Sequence, residues 1–396
     1  MSTELKAGSP PASVPFYNDP KIRSIVYQVA LCLIVAGLVY GAASNAVENL
    51  QRARIASGFG FWNNIAGFDI SQTLISYSNT STYGRAFWVG LLNTLLVAAL
   101  GIVFATILGF VIGIARLSKN WLVNKAATFY VELIRNLPLV LQLLFWYNAV
   151  LKALPDLRES IKIPGGFVVN NRGLFIPAPQ AQTGFGFVEL TLAIGIVASI
   201  AYHYWARKRQ EKTGQQAPVL LVSLGLIVAL PLVVFLVAGM PLVFDYPQAG
   251  RFNIAGGLEV VPEFAALLFG LSIYTAAFIA EVVRAGILAV SHGQTEASYS
   301  LGMKPGPTLR LIVVPQAMRV IIPPLTSQYL NLTKNSSLAV VIGYPDLVQV
   351  FTGTVLNQTG QAVEVVAITM AVYLTISLTT SFVMNVYNSR MKLVER

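Results

Sequence analysis

Residues Phe87–Ala115 read FWVGLLNTLLVAALGIVFATILGFVIGIA, without one charged side chain. A hydrocarbon core about 30 Å thick is crossed by about 20 apolar residues in an α-helix. This run is longer than that, so it tilts or projects into water. A barrel strand also crosses a bilayer, but it alternates apolar and polar residues over about ten positions. Here the run is continuous, and a helix satisfies its backbone polar groups internally. By the same reading seven further spans lie near Ser24–Ala43, Leu137–Ala153, Phe187–Ala206, Ala217–Gly239, Phe264–Val290, Val320–Ile342 and Val363–Tyr387.

Composition agrees. Of 396 residues 55% are hydrophobic and 11% charged, and the mean hydropathy is +0.65. Soluble domains carry about 25% charged residues. The expected fold is an all-α polytopic membrane protein of about eight helices. The net charge of +10 does not point to nucleic acid, because the cations fall in short clusters between apolar spans. With the N-terminus inside, eighteen Lys and Arg lie on inner segments and eight on outer ones, with Lys334 inside a span. Inner clusters include Arg116, Lys119, Lys125, Arg135 and Arg207, Lys208, Arg209, Lys212. That bias puts both termini in the cytoplasm.

Pro138 stands at the start of the third span, so its helix is expected to begin earlier, near Ala127; with Arg135 it marks a helix kink. Hydropathy alone would accept Ser337–Leu356 as the seventh span. However, Tyr344-Pro345-Asp346 reads as a turn followed by a helix start, which favours a span ending near Ile342 and then a short surface helix. Residues 1–23 are polar and proline-rich and read as a disordered cytoplasmic tail rather than a signal peptide. The first span and an outer loop fill 24–86. A larger helical domain fills 87–388, and 389–396 form a second tail. Pro155–Gln182, rich in Pro, Gly and Asn, reads as an outer loop. With spans four and five it forms an insertion at about 154–262. Gly101, Gly109 and Gly113 suit helix contacts.

Several chemistries are excluded. Cys32 is the one cysteine, and His203 and His292 stand far apart, so no disulfide or metal cluster is indicated. The tryptophans mostly lie near span ends, where aromatic belts account for them. No Ser-His-Asp set or catalytic carboxylate pair emerges. A nucleotide-binding P-loop needs Gly-Lys, and that dipeptide is absent. The chain is read as no enzyme.

Between spans six and seven lies Glu296-Ala297-Ser298-Tyr299-Ser300-Leu301-Gly302, running on to Ile312 and Pro315. A mere turn needs fewer residues, so this segment reads as a docking element for a soluble partner. Thr295 is placed to cap a helix with Glu296 in its first turn. Gly302 ends that helix, and Pro307 suits the first turn of a second. Ala297, Ser298 and Ser300 are small, so a partner could approach closely.

That segment resembles the signature loop of permease subunits of bacterial ABC importers, with Ser298 and Val314 at positions where the family has alanine and leucine. Gly90–Leu95, Arg135-Asn136-Leu137-Pro138, Ala280–Ile287 and Leu332–Leu338 are similar to the polar and general L-amino-acid subfamily. The resemblance covers roughly 87–388. It implies a type I importer permease core in the inner membrane, working by alternating access. It also implies two ATPase subunits docked on Glu296, Ala297, Ser298, Gly302, Ile312 and Pro315. A second homologous permease, in a heterodimer, and an extracytoplasmic amino-acid-binding protein complete the complex. No cofactor binds this chain; the partner ATPase uses ATP.

The intramembrane polar residues are the candidates for the substrate path. Glu281 and Arg284 share a helix face at i, i+3. They suit either an amino acid's two charges or an internal ion pair. Lys334, with Asn331 and Asn335, faces a wet path or a carboxylate, or else sits at the interface. Asn93, Thr94 and Gln142 either line the path or bond between helices. A secondary transporter driven by an ion gradient through Glu281 and Lys334 is the alternative. It leaves the Glu296 loop unexplained.

Overall fold

Two glycines on one face of the long apolar helix set the packing. In the computed structural model, which describes residues 20–52, 57–250 and 253–391, α2 (Tyr83–Ala115) runs parallel to α7 (Pro262–Leu288). A Cβ on Gly109 would fall 2.5 Å from Ile279 Cγ2, and one on Gly113 would fall 2.8 Å from the Ala280 carbonyl oxygen. Only glycine permits that approach, which replaces a hydrophobic driving force with dispersion contact in the membrane. α9 (Pro305–Ile342) returns antiparallel, with Ile321 against Gly286 and Leu332 against Gly101. Val97, Leu143, Leu267, Leu271, Ile279, Ile321 and Leu332 form the main core.

Among the described residues seven helices are long and apolar enough to cross a membrane, or eight if one bent pair counts as a span. The other spans are α1 (Pro20–Arg52), α5 (Phe185–Thr213), α6 (Val219–Val237) and α11 (Ala362–Met391). α2 begins at Tyr83, not Phe87, because Thr82 Oγ1 accepts from the Arg85 amide at 3.3 Å. α1 begins at Pro20, so the last part of the expected tail is helical; the rest of that tail, Arg54, Arg251 and residues 392–396 lie outside the described residues.

The third span is two helices. Asn120 caps α3 (Trp121–Asn136) by accepting from the Leu122 and Val123 amides at 2.9 and 3.3 Å, so the helix starts before Ala127. Leu137 is extended, as a residue before proline must be, and α4 (Leu139–Leu151) leaves at 106°. Gln142 Nε2 bridges the break, donating to the Ile134 and Leu137 carbonyls at 3.0 Å each.

The seventh span ends at Ile342 as read, but it begins at Pro305, continuous with the amphipathic run of the loop. The helix after Tyr344-Pro345-Asp346 exists as α10 (348–359) and is not a surface helix: Tyr344, Asp346, Leu347, Phe351 and Val355 have no exposure. It packs with Phe61, Tyr83, Phe87 and Val365, beneath a cap formed by residues 57–82.

The insertion holds more than a loop and two helices. Strands β1 (Ile161–Ile163), β2 (Phe167–Asn170) and β3 (Gly173–Ile176) join β8 (Leu258–Val260) in an antiparallel sheet, order β1-β2-β3-β8. β4 (Ala178–Ala181) pairs β5 (Leu242–Asp245), and β6 (Gln248–Ala249) pairs β7 (Ile254–Ala255). The β8 strand leads directly into α7 at the Tyr83 end of the bundle. α5 and α6 pack on each other where Gly195 meets the Leu226 carbonyl and Ser199 bonds Ser223 at 2.7 Å. The membrane part is therefore all α-helical, with a small sheet beside it.

Gly113→Leu should separate α2 from α7, because the obstacle is a backbone carbonyl that cannot turn aside. We expect about 1–3 kcal/mol of destabilisation, read as a lower unfolding temperature of the detergent-solubilised protein. An unchanged temperature would refute this account of the packing.

Candidate docking loop and substrate path

The loop that resembles a docking element is ordered by its own caps. α8 (His292–Ser300) starts three residues before Thr295, which therefore sits in its interior and caps nothing. Ser291 holds the N-cap position without a side-chain bond. At the other end the Gly302 amide bonds Tyr299 O at 2.9 Å and the Met303 amide bonds Ser298 O at 3.1 Å. That paired return closes the helix with a left-handed residue, and Gly302 has φ +74°. The next helix starts at Pro305, so Pro305 and Pro307 both stand in its first turn.

Ser298 does not face outward. It is 1% exposed, and its hydroxyl lies 2.7 Å from the Thr295 carbonyl, to which it donates, and 3.0 Å from Thr308 Oγ1. The side chain thus clasps α8 to the start of α9. The opposite surface is open: Glu296, Ala297 and Ser300 are exposed, as are Tyr299 (48%) and Leu301 (82%). Ile312 and Pro315 are half-buried in the lead into α9.

The path candidates separate into two groups. Glu281 is taken up by three arginines: Arg116 at the end of α2 forms an ion pair with it, Arg284 Nη1 lies 3.3 Å away and Arg135 Nη1 3.7 Å away. Arg135 also stacks over Phe278, 5.1 Å from the ring centre. This cluster joins α2, α3 and α7 just before the loop, and it supports the internal ion-pair reading of Glu281 and Arg284. Arg116 and Arg135 escaped the sequence reading as its partners because they lie far away in the chain.

Asn93, Thr94 and Gln142 are buried with internal partners, which favours interhelical bonding over path lining. Asn93 Nδ2 donates to Gln72 O and Pro345 O, both at 2.9 Å. Thr94 Oγ1 accepts from the Leu347 amide at 3.0 Å. These two side chains hold the entry of α10. Asp346 continues the network: its Oδ1 accepts from the Gln349 amide at 2.8 Å, and its Oδ2 from the Tyr373 hydroxyl at 3.1 Å. The sequence signalled the helix start after Tyr344-Pro345-Asp346 but not the burial of Asp346. By contrast Asn331 and Lys334 are exposed on α9, and Asn335 is half-exposed.

Removing the Glu281 carboxylate would leave three guanidinium groups repelling one another. Because the carboxylate is a third exposed, Glu281→Ala should destabilise by about 1–3 kcal/mol, below the figure for a fully buried pair. Arg116→Gln in the same chain should recover part of that loss in a double-mutant cycle. Strict additivity of the two thermal-stability changes would show that the pair is uncoupled.

Residues 213–393 match the family of binding-protein-dependent transport system inner membrane components. The general L-amino acid transport system permease protein AapQ of Rhizobium johnstonii is 56% identical, covering 96% of this chain and 94% of its own length. The putative amino-acid ABC transporter permease protein YhdX of Escherichia coli is 51% identical, covering 96% and 97%. The glutamate/glutamine/aspartate/asparagine transport system permease protein BztB of Rhodobacter capsulatus is 45% identical, covering 96% of each. With helices enough to cross the membrane many times and relatives aligned over nearly their whole length, the chain belongs to the family of binding-protein-dependent transport system inner-membrane components.

Proposed function

We propose that this chain is the permease subunit of an ATP-driven importer that carries L-amino acids across the inner membrane by alternating access. The observation that carries the proposal is the loop between α7 and α9. It is internally clasped by Ser298 and Thr308, and it presents Ala297, Tyr299, Ser300 and Leu301 outward. A rigid element with an exposed apolar face suits a groove on a soluble subunit.

In this reading ATP is bound and hydrolysed by partner ATPase subunits, and this chain binds no cofactor. Glu296, Ala297 and Gly302 belong to the docking element. Ser298, Ile312 and Pro315 contribute by holding its shape. The arginine cluster around Glu281 passes loop movement to α2 and α3. Both termini face the cytoplasm, a homologous second permease completes a heterodimer, and an extracytoplasmic binding protein delivers the substrate to the Tyr83 end. None of the relatives described above is named a secondary transporter, and that alternative still gives the loop no task.

A cross-link tests the docking. In a Cys32→Ser background, Ala297→Cys is coexpressed with the candidate ATPase carrying one groove cysteine. A specific product in membranes that changes with ATP is expected. Absence of product across several groove positions would remove the proposal's main support. Gly302→Asp tests coupling separately. No atom lies within 4 Å of a Cβ at this position, so the strain is confined to the left-handed backbone. The variant should reach the membrane and lose most uptake; normal transport would sink the coupling role.

A further inference from the structure

The end of α5 orders its side chains as a bilayer leaflet orders its layers. The apolar run of this helix closes at Ala206. Trp205, Lys208, Arg209 and Lys212 then follow one another at i, i+3, i+4 and i+7, so they share a face. Ile194, Val197 and Ala201 continue that face in the apolar direction. The side packed toward α6 is a different one. It is marked by Gly195 against the Leu226 carbonyl, Ser199 bonded to Ser223, and buried Ala206. At about 100° per residue the two sides stand roughly 110° apart, so the Trp205 row does not serve the hairpin contact.

The row is held in shape by its own contacts. The Trp205 ring stacks on Tyr202, with ring centres 5.5 Å apart and planes at 29°. The Arg209 guanidinium lies over the Trp205 side chain, 5.4 Å from the ring centre, and its Nη2 donates to Gln215 Oε1 at 3.3 Å. The Thr213 hydroxyl donates to the Arg209 carbonyl at 2.8 Å, and Gly214, with φ +69°, stops the helix just beyond Lys212. Glu211 turns aside to Arg207, whose Nε lies 3.3 Å from its Oε1. The row itself therefore consists of one indole, three cations and no acid.

Depth decides the ligand. Tryptophan favours the headgroup level of a membrane. Lys208 and Lys212 lie about 5 and 10 Å beyond Trp205 along the axis, and their long apolar stems can reach back toward it. Their ammonium groups thus come to the layer of lipid phosphates, while Ile194, Val197 and Ala201 lie among acyl chains. A protein carboxylate would call for the charge but not for this vertical order of apolar residues, indole and cations.

We infer that Trp205, Lys208, Arg209 and Lys212 form a binding site for the headgroup of an anionic phospholipid, whose acyl chain runs along the apolar part of the same α5 face. Arg209 offers phosphate a planar fork of donors, and each lysine adds a point charge. The apolar continuation of the row selects a lipid over free phosphate.

The test uses the full chain, purified in detergent with the subunits that accompany it. It is titrated with phosphatidylglycerol and, separately, with phosphatidylcholine of the same acyl chains, and bound lipid is counted by native mass spectrometry. Phosphatidylglycerol should bind at least tenfold more tightly. Lys212→Gln should weaken that binding about fivefold, and Lys208→Gln/Arg209→Gln/Lys212→Gln should abolish the preference. Both variants should keep phosphatidylcholine binding and the unfolding temperature. Arg158→Gln/Lys162→Gln, which removes two cations from the sheet region instead, should keep the preference. A wild type without preference overturns the inference, as does a triple variant that retains it. An equal loss in Arg158→Gln/Lys162→Gln would reduce the effect to bulk charge, and displacement of the lipid by excess inorganic phosphate would assign the row to a free anion. Loss of an accompanying subunit from the triple variant, with the lipid preference intact, would make the row a protein contact. Each of these three results also overturns the inference.

Discussion

The close approach of α2 and α7 is the constraint from which the rest follows. Inside a bilayer there is little hydrophobic gain in bringing two apolar helices together, since acyl chains are as apolar as leucine. Contact has to be won by shape. Gly109 and Gly113 remove the side chains that would hold the backbones apart, and Ile279 and Val283 enter the space. Because the helices are parallel and in that register, Arg116 arrives opposite Glu281. The same pair then offers the groove into which α9 lays Ile321 and Leu332. A change of register along α2 would separate the ion pair and the core together.

Polar groups have to be settled inside this frame. The segment 343–347 is irregular backbone, buried from Tyr344 on, which is tolerated only where protein supplies its partners. Here Asn93 and Thr94 of α2 do so for the Pro345 carbonyl and the Leu347 amide, the Gln72 carbonyl of the cap holds Asn93, and Tyr373 of α11 donates to the Asp346 side chain. Asp346 needs no cation, because an amide and a phenol donate to its two oxygens. The cap at 57–82 is therefore part of the bundle and not a loose connection. The Glu364 carboxylate on α11 also takes the Gly58 amide, holding the start of the cap.

What the sequence made legible is what local chemistry dictates. Apolar runs located seven helices long enough to cross a membrane and the bent pair α3 and α4 among the described residues, and Gly302 and Pro138 marked real breaks. Helix starts were less legible: they depend on caps such as Thr82 and Asn120, whose bonds look the same in sequence as any surface threonine or asparagine. The loop and the following span were read as separate because hydropathy falls between them, although Pro305 begins one continuous element. The small sheet was missed since its strands are two to four residues long, and Pro and Gly dominate around them. Asn93, Thr94 and Gln142 were ambiguous for a deeper reason. A buried amide has the same composition whether it faces a substrate or a carbonyl, and only the fold brings Pro345 and Leu347 to α2.

The fold resolves Glu281 and Lys334 in opposite ways. Glu281 sits where three helices converge and is satisfied several times over, so it has little left to offer a ligand. Moving it would disturb α2, α3 and α7 at once, which suits a joint near the docking loop. Lys334 sits on the helix that leaves that loop, on the side the core does not use, with no partner carboxylate among the described residues. α9 is continuous from Pro305 to Ile342. The loop's second part and the exposed Lys334 therefore belong to one element. One helix thus connects the exposed surface of the loop with the face that carries Lys334.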